Sequence, residues 1–436
     1  MAGPERLRCG GGIHSGEDRT VKTSDRKIDA GAEEPAGARV LSFDEALALL
    51  LARARKVKGI DRVPLTEATG RILAEPVLSS VAVPPLDNSG MDGYAVRCAD
   101  VAEAGSVLRV AQRIAAGSVG QPLEAGTAAR IFTGAPVPPG ADAVVMQEYC
   151  EVRDGGRIVI NRVPDPGENV RMSGEDIGDG TEVLAAGTVL TPAAIGMAAS
   201  VGIAELPVMR RLSVGVVSTG SELVTPGEPL SEGQIYNSNR YQLVGILTDL
   251  GCEVTDYEPL PDDFEATRRL LRKAGALHDL VITSGGVSVG EEDHVKPAVE
   301  AEGELQMYNV AVKPGKPLAF GKVGDADFAG LPGNPVSVFV TFHMLIRPFV
   351  RKCQGASRIL PEARQMVAGF EWSKPGNRRE FLRVRVGADG RLERYPNQSS
   401  GVLTSCLWAD GLADVAIGRK VSPGDTLDYI RFSEMP

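Results

Sequence analysis

The stretch from residue 211 to residue 357 alternates short apolar runs with amphipathic segments of helical spacing. The clearest strand-like runs are Leu212 to Val217 and Leu280 to Thr283, and one helical face carries Leu243, Leu247 and Leu250. Such alternation predicts an α/β domain with a parallel sheet covered on both faces, because parallel strands need crossover connections. Ligands bind such sheets at the carboxyl ends of the strands, so the loops there are the first candidates for a site.

Two of these loops combine glycines and hydroxyls with acids. They contain Ser218, Thr219, Gly220 and Glu222 after one strand, and Ser284, Gly285, Gly286, Glu291, Glu292 and Asp293 after another. Backbone N–H groups at such strand ends can bind a phosphate, although a lone Ser-Thr-Gly turn is more often plain turn chemistry. The acids are compatible with an anion if they hold Mg²⁺, which takes one or two carboxylates and completes its shell with substrate phosphates and water.

Three further segments of this region carry polar groups with a simpler explanation available. Asp262 and Asp263 precede a helix expected to extend to about Ala274, where helix capping explains them as well as a metal does. Lys313 and Lys316 lie on a proline-bounded turn suited to an oxyanion, although surface lysines are common. The turn "GLPGNP" leads into a helix at Pro335, and a helix start needs no ligand.

The rest of the chain divides into segments with different sequence patterns. Ser42 and Glu45 have the spacing of a capping box, and we expect their helix to pack against the Ala-rich segment "TPAAIGMAASVGI". Short strands are expected at Val107 to Val110, Ala143 to Met146, Ile158 to Ile160, Phe381 to Val386, Ala416-Ile417 and Leu427 to Ile430. We predict a disordered tail at 1–38, a helical domain split between 39–79 and 174–210, a β-domain at 80–173, the α/β domain at 211–357 and a second β-domain at 358–436.

Composition excludes several classes of protein. The net charge of -10 argues against binding of nucleic acid, whose affinity depends on Lys and Arg. The 6 cysteines stand singly among only 4 histidines, so neither a zinc site nor a catalytic triad is supported, and reduced thiols in the cytoplasm are expected. No apolar run approaches the roughly 20 residues of a membrane span, so we expect no membrane association.

The predicted β-domain contains two polar connecting segments. The run from Asp87 to Tyr94 has two acids and two glycines after Pro84-Pro85, and Arg171 precedes Gly174-Glu175-Asp176. Turn chemistry explains most of both segments. Their density of charged groups is nevertheless high for connections between strands.

Eight segments, taken in order, resemble the MoeA-type molybdopterin molybdenumtransferases, the family of the gephyrin E domain. They are "DNSGMDGYAV", "TGAPVPPGADAVV", "NVRMSGEDI", "STGSEL", "YNSNRYQL", "TSGGVSVGEEDH", "KPGKPLAFG" and "GLPGNPVSVFVTF". The resemblance extends from about Phe43 to the C-terminus. It implies an elongated homodimer of four-domain subunits, with a MogA-like α/β domain and a C-terminal β-barrel. The active site would lie between the α/β domain of one subunit and the β-domain of the other.

The reaction implied by the resemblance belongs to molybdenum cofactor biosynthesis. Adenylated molybdopterin, received from a molybdopterin adenylyltransferase, and molybdate are the substrates. The adenylate is hydrolysed in a magnesium-dependent step that releases AMP, and molybdenum remains on the dithiolene.

The resemblance also implies roles for individual residues. Glu222, Asp262 or Asp263, and Asp293 would hold Mg²⁺ or position the pyrophosphate. The pterin or its phosphates would contact Ser218, Thr219, Gly220, Ser284, Gly285, Gly286, Pro332, Gly333, Asn334 and Pro335. Molybdate or phosphate would be bound by Lys313, Lys316, Ser337, Arg383 and Ser400. Asp87, Asp92, Thr133, Arg171 and Asp176 would come from the partner subunit.

Three positions depart from the family pattern: Asn309 stands where some relatives have a lysine, Ser221 where aspartate is common, and His294 where an aromatic is common. Two alternatives remain. A nucleotide-processing enzyme sharing only the α/β domain, an adenylyltransferase or a CinA-type pyrophosphatase, would not need the "DNSGMDGYA" segment. A gephyrin-like scaffold would be expected to carry an extra domain and a long linker.

Overall fold

The computed structural model describes residues 40–287 and 294–435, apart from the side chains of Met307 and Tyr308. The predictions for the tail at 1–38 and for Glu291, Glu292 and Asp293 therefore lie outside the described residues.

The first described segment forms a helix that begins as predicted. Its elements are β1 (Val40–Leu41), α1 (Phe43–Arg53), β2 (Ile60–Pro64) and β3 (Val77–Leu78). The hydroxyl of Ser42 accepts a hydrogen bond from the Glu45 N–H at 3.2 Å, and the Glu45 carboxylate accepts one from the Ser42 N–H at 2.8 Å. These reciprocal bonds are the capping box.

The next region is a β-structure followed by the Ala-rich helix. Its elements are β4 (Asn88–Ser89), β5 (Gly93–Val96), β6 (Ser106–Ile114), β7 (Thr127–Ile131), β8 (Ala143–Met146), β9 (Cys150–Arg153), β10 (Arg157–Ile160), β11 (Val170–Arg171), β12 (Glu182–Leu184), α2 (Pro192–Ser200) and β13 (Glu205–Met209). Six of them form one sheet in the order β8-β5-β7-β6-β10-β9. Separately, β13 pairs with β2 and β12 with β3, so two distant segments share one core.

The expected packing of α1 against α2 is wrong. β1 joins the large α/β sheet beside residues 309–310, and Phe43, Ala46 and Leu50 of α1 belong to the core of that sheet. The cause is the short connection: only Ser42 separates β1 from α1, so the helix must lie against the sheet that holds the strand. We therefore propose that the split domain begins near Ile60 and not at residue 39.

The α/β region contains the strands and helices expected from its alternation. They are β14 (Ser213–Ser218), β15 (Leu223–Val224), β16 (Ile235–Tyr236), α3 (Ser238–Asp249), β17 (Glu253–Asp256), α4 (Phe264–Leu277), β18 (Leu280–Ser284), α5 (Val295–Glu302), β19 (Gly303–Val310), β20 (Val312–Lys313), β21 (Pro317–Val323), β22 (Ala326–Leu331), α6 (Pro335–Thr341) and α7 (Arg347–Gln354). A π-helical turn, Phe342–Ile346, joins α6 to α7.

The sheet of this region is mixed and not wholly parallel as predicted. Its strand order is β1-β19-β21-β22-β18-β14-β17. Strands β22, β18, β14 and β17 are parallel, but β21 is antiparallel to both β22 and β19. Only Gly324 and Asp325 join β21 to β22, and so short a link allows a hairpin but no crossover.

The C-terminal region is a further sheet. It contains β23 (Arg364–Val367), β24 (Arg379–Val386), β25 (Leu392–Arg394), α8 (Thr404–Trp408), β26 (Gly411–Val415) and β27 (Thr426–Arg431). Strand β20 pairs with β24, which ties the turn at residues 313–317, which we call the lysine turn, to this sheet. The strand expected at Ala416-Ile417 is wrong, because β26 ends at Val415 and the chain turns at Gly418, whose φ is 71°.

No helix in the ranges 40–287 and 294–435 combines the length and apolar character needed to cross a membrane.

A matched pair of glycine substitutions tests the β19–β21 pairing. A methyl group at Gly321 would lie 1.9 Å from the Glu304 carbonyl oxygen, whereas a methyl group at Gly245, in α3, would meet nothing within 4 Å. We expect Gly321→Ala to destabilise the protein by roughly 1–3 kcal/mol, and Gly245→Ala to stabilise it by up to about 1 kcal/mol through helix propensity. The midpoint of thermal unfolding measures both; equal midpoints would contradict the close approach.

Candidate functional site

The ends of three parallel strands lie side by side. Ser218 at the end of β14 is in register with Ser284 at the end of β18, which is in register with Leu331 of β22. The N–H of Gly285 donates to the Leu331 carbonyl at 3.0 Å. The structure thus brings together the three loops 218–222, 284–287 and 332–335, which we call the strand-end loops.

Close backbone packing explains one glycine of these loops. Gly286 has a φ of 65°, and a methyl group there would lie 2.4 Å from a methyl carbon of Val295 and 3.1 Å from the Thr219 hydroxyl. Both the conformation and the space require glycine.

Several buried polar atoms at these loops have no partner in the described part of the chain. Ser218 is 1% exposed and its hydroxyl oxygen makes no hydrogen bond, and the same holds for the hydroxyl of Thr283 in the adjacent strand. A buried polar group without a partner costs about 1–3 kcal/mol. Such groups are rare in folded proteins and call for an explanation, and a polar ligand supplies one.

Asn239 is a residue of this region that we did not select from the sequence. It lies in the first turn of α3, and its side-chain N–H group donates to the Gly333 carbonyl at 2.7 Å, which ties α3 to the third loop. Its amide oxygen is buried without a partner among the described residues. The signal was the segment "YNSNRYQL", whose asparagines stand where a helix begins.

The two aspartates before α4 differ in their contacts. Asp263 is the N-cap of α4, and its carboxylate accepts from the Ala266 N–H at 2.6 Å. Asp262 faces the strand-end loops: its carboxylate accepts from the Ser221 N–H at 2.8 Å, and its own N–H donates to the Ser221 hydroxyl at 3.4 Å. The donor is the backbone N–H of Ser221 and its hydroxyl is the acceptor, so this reciprocal pair of bonds joins the first strand-end loop to the segment before α4.

The remaining described acid of this group is Glu222. A methyl group at Gly220 would lie 2.6 Å from a carboxylate oxygen of Glu222, so this carboxylate lies over the loop backbone. Glu222 and Asp262 therefore both approach the 220–221 backbone.

These two carboxylates fit Mg²⁺ in part. Within the described residues no group of three or more His, Cys, Asp or Glu is placed to hold a metal ion. Mg²⁺ needs only one or two carboxylates when phosphate and water complete its shell, so the donor set agrees with a metal bound together with substrate. Asp293 lies outside the described residues.

The lysine turn packs against α6. A methyl group at Gly315, whose φ is 109°, would lie 2.3 Å from the Thr341 hydroxyl. The ammonium group of Lys313 is 3.3 Å from the carboxylate of Glu380, which is only 2% exposed. The carbonyl of Lys316 accepts from the Val310 N–H at 2.8 Å. Both lysines are therefore held by the fold near the third strand-end loop.

Ser400 brings the C-terminal region into contact with the start of α6. Its carbonyl accepts from the Val336 N–H in the first turn of α6 at 3.1 Å, and the adjacent Ser337 is buried. In the described chain, the third strand-end loop, the lysine turn and the Ser400 segment therefore meet at α6.

Arg383 is placed differently from the role we expected. It is 1% exposed, and its guanidinium donates to the Phe381 carbonyl at 3.1 Å and the Ser405 hydroxyl at 3.2 Å. Burial lowers its pKa to about 10, so it remains charged at neutral pH. A cation that we did not select, Arg378, lies beside the lysine turn and donates to the Val312 carbonyl at 3.3 Å.

The second polar cluster lies in the β-structure. The carboxylate of Asp92 accepts from both the N–H and the hydroxyl of Thr133, each at 2.8 Å, and these two bonds are the main reason its pKa is lowered. Asp87 accepts from the Ser173 N–H at 2.7 Å. Arg171 is paired with Asn88 across β11 and β4.

Asp176 lies on the same loops, where its N–H donates to the Val83 carbonyl at 3.1 Å. In the described part of the chain, no hydrogen bond or ion pair joins this cluster to the strand-end loops. The two remaining departures from the family pattern lie in regular structure. His294 is the residue before α5, and Asn309 of β19 is paired with Pro317 of β21.

Comparison with protein families accounts for nearly the whole described chain. The family "MoeA N-terminal region (domain I and II)" matches residues 41–202. A "Probable molybdopterin binding domain" matches residues 215–352, and the "MoeA C-terminal region (domain IV)" matches residues 365–432.

Two similar proteins share a name. A molybdopterin molybdenumtransferase of Haemophilus influenzae is 41% identical over 357 residues, which cover 81% of this chain and 88% of that protein. A second, from Mycobacterium tuberculosis, is 40% identical over 367 residues, covering 81% and 90%. The crystal structure of a molybdopterin biosynthesis MoeA protein from Pyrococcus horikoshii is similar with a TM-score of 0.79 and 29% identity, covering 90% of this chain and 100% of that one.

The contacts of Asp92 generate a prediction about its ionisation. Thr133→Val removes the hydroxyl donor and keeps the backbone donor, so the pKa of Asp92 should rise toward 3.8. Because the folded-state pKa is the lower one, the stabilisation is present above the pKa of the unfolded chain and is lost as pH falls through the folded value. Carboxyl ¹³C NMR titration measures the shift. An unchanged pKa in Thr133→Val, with Thr133→Ser as the control, would contradict this assignment.

Proposed function

We propose, from the premise that this chain belongs to the molybdopterin molybdenumtransferase family, that it inserts molybdate into adenylated molybdopterin and releases AMP. The observation that supports this most directly is the register Ser218–Ser284–Leu331, which places three glycine-containing loops at one sheet edge. A protein sharing only the α/β domain is not favoured, because all three family regions match this chain.

The strand-end loops bind the substrate in this proposal. Their backbone N–H groups and the hydroxyls of Ser218, Thr219 and Ser284 contact the pterin and its phosphate. Asn239 keeps the Gly333 loop in place through its 2.7 Å hydrogen bond. Glycine at position 286 allows the second strand-end loop to pack closely against Val295 and Thr219.

The acids act on the pyrophosphate. Glu222, Asp262 and Asp293 would hold Mg²⁺, which when bound neutralises the charge that develops on the leaving phosphate. Asp262 is held toward the loops by Ser221, whereas Asp263 is occupied as the cap of α4. We therefore assign the metal role to Asp262 and a structural role to Asp263.

We assign the binding of molybdate to the place where the third strand-end loop, the lysine turn and the Ser400 segment meet at α6. Lys313, Lys316 and Ser337 meet there with the Ser400 segment, and cationic and hydroxyl groups suit an oxyanion. We propose that Arg383, buried under the sheet, positions this segment through Ser405 and does not itself touch molybdate. Arg378, beside the lysine turn, is the better candidate for the contact.

The β-structure cluster completes the site from a second subunit. Asp87, Asp92, Thr133, Arg171 and Asp176 form the group. Within one chain no described contact joins it to the strand-end loops, and a homodimer with a shared site would bring the two together. We further propose cytoplasmic action on substrate received from a molybdopterin adenylyltransferase.

The activity itself is the first test. The purified protein, incubated with adenylated molybdopterin, molybdate and Mg²⁺, should release AMP, with release dependent on molybdate. Chromatography of the nucleotide measures it. Absence of molybdate-dependent AMP release would refute the proposed function.

The two aspartates before α4 should behave oppositely. We expect Asp262→Ala to lower kcat at least tenfold and to raise the Mg²⁺ concentration needed for half-maximal rate, because it removes a ligand. The matched control, Asp263→Ser, keeps a capping side chain and should retain activity within about twofold. Equal loss in both variants would contradict the assignment.

Mixed dimers test the shared site. Asp92→Ala and Glu222→Ala should each be inactive alone. Co-expressed in equal amounts they should recover about a quarter of the wild-type rate, since half of the dimers are mixed and each has one intact site. AMP release measures the recovery; none, from dimers shown to be mixed, would place the site within one chain.

A further inference from the structure

A cleft of about 280 Å³ lies at the opposite edge of the α/β sheet from the strand-end loops. It is bounded by the amino ends of β18 and β22 and by the two connections, 55–58 and 210–212, through which the chain enters and leaves the split region. We call it the hinge cleft. None of the residues assigned to the proposed reaction lines it.

The rim of the hinge cleft carries an excess of positive charge. Arg55, Lys56, Lys58 and Lys322 line it, and none of the four makes an ion pair within the described residues. The whole chain has a net charge of -10, so a local group of unpaired cations is unusual for it. An anion bound between them would remove their mutual repulsion.

The segment that carries three of these cations is held firmly. The Val57 N–H donates to the Cys353 carbonyl at 2.8 Å, and the Lys58 carbonyl accepts from Arg210 at 2.8 Å. Arg210 is itself fixed by two bonds of 2.7 Å to the carboxylate of Asp279. The cations therefore project from an ordered backbone.

Lys56 is further restrained along its side chain. A methyl group at Gly355 would lie 2.6 Å from its ε-carbon, so the lysine stem lies across that glycine. Packing of the stem directs the ammonium group while leaving it free to bind.

Two carboxylates of the lining, Asp325 and Asp327, have no ion-pair partner among the described residues, against the four cations. Asp327 begins β22 beside Ala326, and among the described residues no cation lies within ion-pair distance of it. Burial raises its pKa, while Lys322 and Arg55 act in the opposite direction. The nearby His278 has both ring nitrogens within 2.9 Å of the Ser213 and Tyr257 hydroxyls, so it is not available to a ligand. Asp327 is an acceptor for a hydroxyl next to the bound anion.

We propose that the hinge cleft binds a phosphate monoester that carries a neighbouring hydroxyl group, with the phosphate among Arg55, Lys56, Lys58 and Lys322 and the hydroxyl on Asp327. A ligand here would contact both connections to the split region and the sheet itself, and would hold these parts together. This inference does not rest on the proposed function.

Calorimetric titration with glycerol 3-phosphate and with inorganic phosphate tests the proposal. Glycerol 3-phosphate should bind more tightly than inorganic phosphate. Lys322→Glu and Arg55→Glu should each weaken binding at least tenfold, and Lys273→Glu, an exposed charge reversal on α4, should not. Lys313→Ala should leave this binding unchanged, which separates it from phosphate bound at the strand-end loops.

Asp327→Ala should abolish the preference for glycerol 3-phosphate and leave inorganic phosphate bound at least as well, because a like charge is lost. Lys322→Glu should still release AMP, so failure of this proposal is distinguishable from failure of the proposed function. Equal weakening by Lys322→Glu and Lys273→Glu, or no binding of either probe, would overturn the proposal.

Discussion

The parallel register of β14, β18 and β22 is the constraint on which the site depends. Hydrogen bonding between parallel strands brings their carboxyl ends to one edge, so Ser218, Ser284 and Leu331 are neighbours although they are far apart in sequence. Each of the three strand-end loops therefore begins at a strand end whose position is set by the sheet. The Ser218 hydroxyl and the Asn239 amide oxygen, both buried without a partner among the described residues, lie at this same edge, where we propose that the substrate binds.

Strand pairing between segments that are far apart in sequence positions the charged side chains near this edge. Glu380 is buried at the start of β24, one of its carboxylate oxygens has no partner among the described residues, and the other faces Lys313. The pairing of β20 with β24 brings this acid and Arg378 to the lysine turn. The C-terminal sheet thus sets the electrostatics of a site whose backbone belongs to the α/β region. The proposed oxyanion site would depend on this local grouping of Lys313 and Arg378 in a protein that is acidic as a whole.

Much of the fold could be predicted because local signals and tertiary structure agree. The capping box of α1, the buried face of α3 and the strands β14 and β18 all formed where sequence periodicity placed them. The errors arose where the connection between two elements determines how those elements pack. The hairpin at Gly324-Asp325 reverses β21, and the single residue between β1 and α1 draws that helix onto the sheet, neither of which hydrophobic periodicity reports.

The same limit applies to the site. Sequence order gave no means of separating Asp262 from Asp263, because both precede a helix; the structure separates them by what each carboxylate accepts. Arg383 and Arg378 both lie near β24 in sequence, but alternation along the strand buries Arg383, while Arg378, just before the strand, lies beside the lysine turn. Side-chain direction in a strand follows from register, which a single sequence does not fix.

We propose that the three strand-end loops together bind adenylated molybdopterin. Hydrogen–deuterium exchange of the purified protein, with and without this substrate and in the absence of molybdate, measures this binding separately in each loop. We expect exchange to slow in all three segments, 218–222, 284–287 and 332–335, on substrate addition. Protection confined to one of them, or located elsewhere in the chain, would contradict it.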